Sequence, residues 1–192
     1  MQTKQLLILI RGKDQFIVGM HLISLLIFFS LHLEFSGCTA STNQGNYNCI
    51  EAFDGVTNVV DNGWAYSAIS PAWAIFELVE VTAMNDIVLA SGQKRGDHRL
   101  ISFKVTVKAN NQWVIPTGLS IREDANAQIE SDGTITLASG IHVLHLDFNL
   151  IPNAQAIRLD VTKTDASNNN VVVNEIEAKF TKSKFISLQL LI

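Results

Sequence analysis

Over residues 101–108 apolar and polar side chains alternate, with Ile101, Phe103, Val105 and Val107 on one side and Ser102, Lys104, Thr106 and Lys108 on the other. A period of two is the signature of a half-buried strand. Ala109-Asn110-Asn111-Gln112 then reads as a polar turn, and Trp113-Val114-Ile115 as the return strand. Comparable strands are predicted over 75–81, 87–90, 134–138, 142–148, 156–162 and 171–180. Turn chemistry separates them at Asp61-Asn62-Gly63, Ser91-Gly92, Arg95-Gly96-Asp97, Ser131-Asp132-Gly133, Ser139-Gly140 and 165–170. Helical periodicity is nearly absent. Short strands at this spacing predict an all-β fold, an antiparallel β-sandwich or jelly roll. The apolar tail 181–192 fits an extra edge strand or a docked terminus, and is too short to cross a bilayer.

The first forty residues follow another pattern. Residues 16–33 hold no Asp, Glu, Lys or Arg, and Lys4, Arg11 and Lys13 precede them. A positive region followed by an apolar one is the layout of an export signal. The run is also just long enough for a tight membrane span, with its N-terminus held on the cytoplasmic side. Three endings stay open. Phe35-Ser36-Gly37-Cys38 resembles a lipobox, with Cys38 lipidated; cleavage after Cys38-Thr39-Ala40 by an ordinary signal peptidase is the second; an uncleaved anchor is the third. Each predicts a secreted or extracytoplasmic protein, membrane-anchored in the first and third cases. Cys38 and Cys49 are the only cysteines. If both survive, a bridge would close a short N-terminal loop in an oxidising compartment. If Cys38 is lipidated or removed, Cys49 is left single. Residues 41–48 read as a polar tether. The expected domains are therefore 1–40 as signal or anchor, 41–180 as the sandwich and 181–192 as the tail.

The formal net charge is −4, and it grows more acidic once the N-terminal segment is set aside. That balance argues against nucleic acid as a partner, since phosphate binding leans on clustered Lys and Arg. No Gly-x-Ser-x-Gly elbow, His-Glu-x-x-His helix or phosphate loop is present, so the sequence reads as a binding module rather than an enzyme. A small exported glycoside hydrolase with two distant carboxylates is the less favoured alternative. His142 and His145, three apart on a strand, face opposite sides and cannot chelate one metal. Arg158 reads as a structural ion-pair residue. Trp73 and Trp113 read as core or rim packing residues.

Ala52-Phe53-Asp54-Gly55, Trp64 and Trp73-x-x-Phe76-x-Leu78 resemble the opening of discoidin domains, also called coagulation factor V/VIII C-type domains. Phe103-x-Val105 with Trp113 resembles their middle strands, and Ile157-Arg158-Leu159 with Asn174-Glu175-Ile176 their closing strands. The resemblance runs from about Cys49 to Phe180. It implies a galactose-binding-like jelly roll, similar to family 32 carbohydrate-binding modules, that binds a glycan or cell-surface ligand in adhesion or carbohydrate recognition. Departures are Val56 after Asp-Gly, Leu78-Val79 where Leu-Gly is usual, and Asn110-Asn111 before the middle Trp. The disulfide that ties the termini of membrane-binding relatives is not expected here.

The resemblance also implies a structural calcium, with Glu175 matching the family's calcium-site Glu. Calcium takes six to eight oxygens, mixing carboxylates with loop carbonyls, and Asp54 lies in a tight loop that offers both. Ile176 is expected in the core, with Glu175 and Glu177 facing outward together. For the ligand, residues 93–99 concentrate long polar side chains. Arg95, His98 and Arg99 are the candidate donors to sugar hydroxyls, and Trp64 or Tyr66 the apolar platform. A protein–protein or assembly module of the same fold is the alternative function.

Overall fold

The computed structural model describes all residues except 1–4, 13–19, 42–47, 56–62, 67–71, 93–97, 167–169 and 192. In chain order the elements are β1 (Gln5–Gly12), β2 (Met20–Leu33), β3 (Phe35–Ala40), a 3-10 turn (Cys49–Phe53), β4 (Trp64–Tyr66), β5 (Ala72–Ser91), β6 (Leu100–Ala109), β7 (Gln112–Val114), β8 (Ser120–Ile121), β9 (Gln128–Ile129), β10 (Thr134–Thr136), β11 (Val143–Thr164) and β12 (Val171–Leu191). The chain forms two compact units. One comprises residues 1–32 and 179–192, the other 33–178.

In the smaller unit β1 and β2 form an antiparallel hairpin, in register from Gln5 opposite Ser30 to Gly12 opposite Ile23. The apolar run expected as an export signal or span is thus a strand over residues 20–33, and its first residues, 16–19, lie outside the described ones. Among the described residues no helix is long and apolar enough to cross a membrane. The tail beyond Phe180, expected as an extra edge strand or a docked terminus, is instead the continuation of β12.

The larger unit is a sandwich made from one bent ribbon. β5 and β11 pair antiparallel along most of their lengths, from Val143 opposite Ala90 to Val161 opposite Ala72. Three register shifts between Asp147 and Ala156 interrupt the ladder and act as bulges. Bulges bend strands, and here the ribbon doubles back until its two ends meet. The Ser91 Oγ accepts from the Leu100 N–H at 3.2 Å, and Leu100 pairs with Thr164. Each half of the ribbon then seeds its own sheet. β3, β6, β7, β10 and β9 extend the front half, and β8 extends the back half. β12 lies beside β5, and β4 beside β12.

Between the halves Phe76, Leu78, Phe103, Val105, Ile157 and Leu159 meet Ile87, Leu89, Leu144 and Leu146, all buried in one core. The β6–β7 hairpin turns on Asn110 and Asn111, with φ of 51° and 63°. Two positive φ angles define the type I′ turn, whose twist matches paired strands, and Asn tolerates that region where β-branched residues do not.

The sandwich begins before residue 40, the boundary expected from sequence. β3 is one of its strands, with Cys38 opposite Phe76 and Ala40 opposite Ala74. Cys38 forms a disulfide with Cys49. This corrects the expectation of lipidation at Cys38, because one sulfur cannot carry both a bridge and a lipid. The bridge closes a loop of sequence separation 11 and on chain-entropy grounds contributes about 3 kcal/mol.

Candidate functional site

Two places in the sandwich gather polar chemistry. The first is the end where the ribbon's tips meet. There the Arg99 N–H donates to the Asp165 Oδ1 at 2.7 Å, and the Asp165 N–H donates back to the Arg99 carbonyl at 3.0 Å. The Arg99 Nη1 donates to the Gly140 carbonyl at 3.3 Å. Gly140 sits so close that a Cβ there would strike the Asp165 carboxylate and Arg99, which explains a residue without a side chain. Exposed His142 joins the group, its Nδ1 lying 2.7 Å from the Ser91 carbonyl. A carbonyl only accepts, so Nδ1 carries a proton toward it, and Nε2 is the ring nitrogen left open to a ligand. Arg99, His142 and Asp165 thus set planar donors and acceptors side by side at one end, the chemistry that vicinal sugar hydroxyls require.

The residues expected to meet a ligand fall in different places. Arg99 is where it was expected. Arg95 lies outside the described residues. His98 has φ of 65° and is 7% exposed, so its ring is tucked into the end of the sandwich rather than presented on it. Trp64 is no platform: it is fully buried, with its strand paired to Val173. Tyr66 pairs through its backbone with Val171, and its side chain is outside the described residues. His142 escaped notice as a ligand contact because, in the sequence, it drew attention only as a metal ligand. The two histidines indeed diverge, since His145 binds Glu123 through its ring Nδ1 and its backbone N–H. Burial alone would raise the Glu123 pKa, but those two hydrogen bonds outweigh it and hold the carboxyl below its usual range.

The second place is the acidic turn. The 3-10 turn ends at Asp54, and Gly55 follows with φ of 85°. The Gly55 N–H donates to both carboxylate oxygens of Glu175 at 3.2 Å, across 120 residues of chain. Glu175 is only 3% exposed, not outward-facing as expected. The core positions of β12 switch from Val171 and Val173 to Ile176 and Ala178. That change of parity leaves Asn174 and Glu175 consecutive and both buried, as a bulge does. Glu177 is half-buried. Phe35, Phe53 and Phe76 pack ring against ring beneath the turn, with centroids 5.5–6.2 Å apart, and the disulfide holds its start. Among the described residues no cluster of three or more His, Cys, Asp or Glu is placed to hold a metal.

The other expected packing residues divide. Arg158 forms a bidentate pair with Asp160 and lies 5.0 Å from the centre of the Trp73 ring, a structural role as predicted. Asp160 is also what holds the Arg158 guanidinium firmly charged, above its ordinary pKa. Trp113 is 42% exposed, so it stands outside the core.

No protein-family model matches the chain, and no curated protein matches it. Solved structures do. A chitosan-binding module from a chitosanase/glucanase of Paenibacillus sp. IK-5 is 18% identical with a TM-score of 0.58, the match covering 77% of this chain and 96% of the module. A family 32 module from a family 31 glycoside hydrolase of Clostridium perfringens is 22% identical with a TM-score of 0.55, over 77% and 93%. A pectin-binding carbohydrate-binding module is 19% identical with a TM-score of 0.55, over 76% and 91%. Against longer chains the match is partial, covering 27% of SpGH29 and 34% of a truncated AlyQ that carries family 32 and alginate lyase domains. The bent-ribbon sandwich of this chain is therefore the discoidin-like, galactose-binding-like fold, the fold of family 32 carbohydrate-binding modules.

Proposed function

We propose that the chain is an exported carbohydrate-binding module, with a glycan site at the end formed by Arg99, His142 and Asp165. The observation that carries this reading is the near-complete match to single binding modules, 96% of one such module's length. The polar constellation at the loop end supplies donors and acceptors for hydroxyls. Export is supported by the Cys38–Cys49 bridge, which persists in oxidising compartments, and by the charge layout ahead of the apolar run. Tethering at a membrane and a role in adhesion are further parts of the same proposal.

A structural calcium belongs to it too. Glu175 is a buried carboxylate facing an acidic turn, and a hard cation held by Asp54, Glu175 and turn carbonyls would balance that charge. Its contribution is to pin the first turn to the last strand. The test is affinity gel electrophoresis of the full chain against chitosan, pectin, alginate, galactan and xylan. We expect retardation by at least one polymer, weakened about tenfold by Arg99→Ala combined with His142→Ala. Migration unchanged on every polymer would sink the reading. A chelator should lower the melting temperature by roughly 5–10 °C. An unchanged melt together with no metal in elemental analysis removes calcium from it.

A further inference from the structure

The outer face of the front sheet carries chemistry that the loop end does not use. Directly paired residues share a face of a sheet, so the register places Glu77, Ala156, Lys108 and Trp113 in one outward row across four strands. Two rows away lie Trp73, Asp160 and Lys104, with Arg158 between. Ala156 is a buried, small floor at 3% exposure, but the longer side chains reach solvent: Trp113 is 42% exposed, and the Arg158 and Lys104 side chains 34% and 30%. Trp64 is fully buried and Trp73 half-buried beneath Arg158, which leaves Trp113 as the exposed tryptophan of the chain.

The chain carries −4 overall, while on this face three cations, Lys104, Lys108 and Arg158, stand against three carboxylates, Glu77, Asp160 and Asp132. Arg158 is closed on Asp160, and Lys104 lies 3.7 Å from Asp132. Lys108 makes no ion pair among the described residues, and it stands directly opposite Trp113. An open ammonium beside an open indole is a minimal receptor for an acidic sugar, since the ring stacks on the sugar's C–H face and the ammonium meets its carboxylate. Lys104 repeats the charge four residues along the strand, about 13 Å away, farther than one pyranose extends.

We infer that this face is a second ligand surface, for a linear acidic polysaccharide of the polyuronate class, anchored on Trp113 and Lys108. It rests on the carbohydrate-binding reading only for the class of ligand, and its residues are separate from those at the loop end. The surface is preformed, because its side chains stand on paired strands. Its binding is sensitive to salt, because Lys108 and Lys104 act through charge.

The test titrates the full chain with polygalacturonate, alginate and a neutral galactan, at low and at physiological salt. Trp113→Ala and Lys108→Gln should each weaken polyuronate binding about tenfold, most strongly at low salt, while Arg99→Ala with His142→Ala leaves a polyuronate interaction that Lys108→Gln then removes. Both front-face residues are on the surface, so melting temperatures close to that of the parent protein confirm folding. Polyuronate binding unchanged in the Trp113→Ala/Lys108→Gln double variant overturns the inference. So does retention of neutral galactan alone, which leaves the carbohydrate-binding reading standing. No retention of any polymer defeats both.

Discussion

Trp64→Ala lowers the stability of the sandwich by about 4 kcal/mol, measured by urea denaturation. The indole has no exposed surface and belongs to the main core. Gly63, next to it at φ of 124°, lies so close to β12 that even an added Cβ would strike the Val173 carbonyl, so a side chain there cannot fill the space. A cavity remains, and a loss of this size is a large part of the 5–15 kcal/mol that holds a domain folded. Trp64→Phe leaves a smaller hole, costs about 1–2 kcal/mol and keeps glycan retention at the level of the parent protein. A loss below about 1 kcal/mol for the alanine variant would contradict burial. A folded phenylalanine variant that no longer binds sugar would restore Trp64 as a platform.

Arg122→Ala destabilises by about 2 kcal/mol, the cost of leaving one buried carboxylate unpaired beneath a half-exposed guanidinium. Asp86 and Asp147 stand opposite each other on β5 and β11, a like-charge pair that a sheet normally avoids. Arg122 reconciles them, donating through Nη2 to Asp86 at 2.8 Å and through Nε and Nη2 to Asp147. Its hydrogen bond to Asp147 is the main reason its guanidinium is held charged, above its ordinary pKa. Asp86 is only 4% exposed and its Oδ1 has no hydrogen-bond partner among the described residues. Deleting Arg122 therefore strands a buried carboxylate beside a second one. Asp86→Asn placed in the same chain recovers at least half of the loss, because the amide removes the charge and keeps the shape. Equal stability of the single and double variants would show that Arg122 acts by packing its stem instead.

The sequence carried the strand positions well and their continuity poorly. Residues 75–81 and 87–90 read as two strands, as do 142–148 and 156–162, yet each pair is one strand bent by bulges. Periodicity cannot tell a bulge from a turn, because both break the alternation and only the long-range partner decides. A similar slip explains Ile101, which was expected in the core. A register shift around Ser102 hands that place to Leu100, which is fully buried while Ile101 is half-exposed. At the acidic turn the approach of the 52–55 turn to the strand that carries Glu175 was legible from residue types and the family resemblance, but the Gly55 N–H as its partner was not. The burial of Glu175 was not, since it depends on the parity change in β12. For Trp113 the sequence left core and rim open: aromatics usually fill cores, and nothing local marks a tryptophan that stands on an outer face.

The bent ribbon also governs how the domain comes apart. Because β5 and β11 run through both layers, neither layer can detach while the other stays intact, and no boundary for partial unfolding falls between them. Amide exchange in the two layers should thus report one shared opening event. The ribbon's pairing joins residue 72 to residue 161, so most of the module must be made before it can close. A fold built on so distant a contact assembles late and slowly.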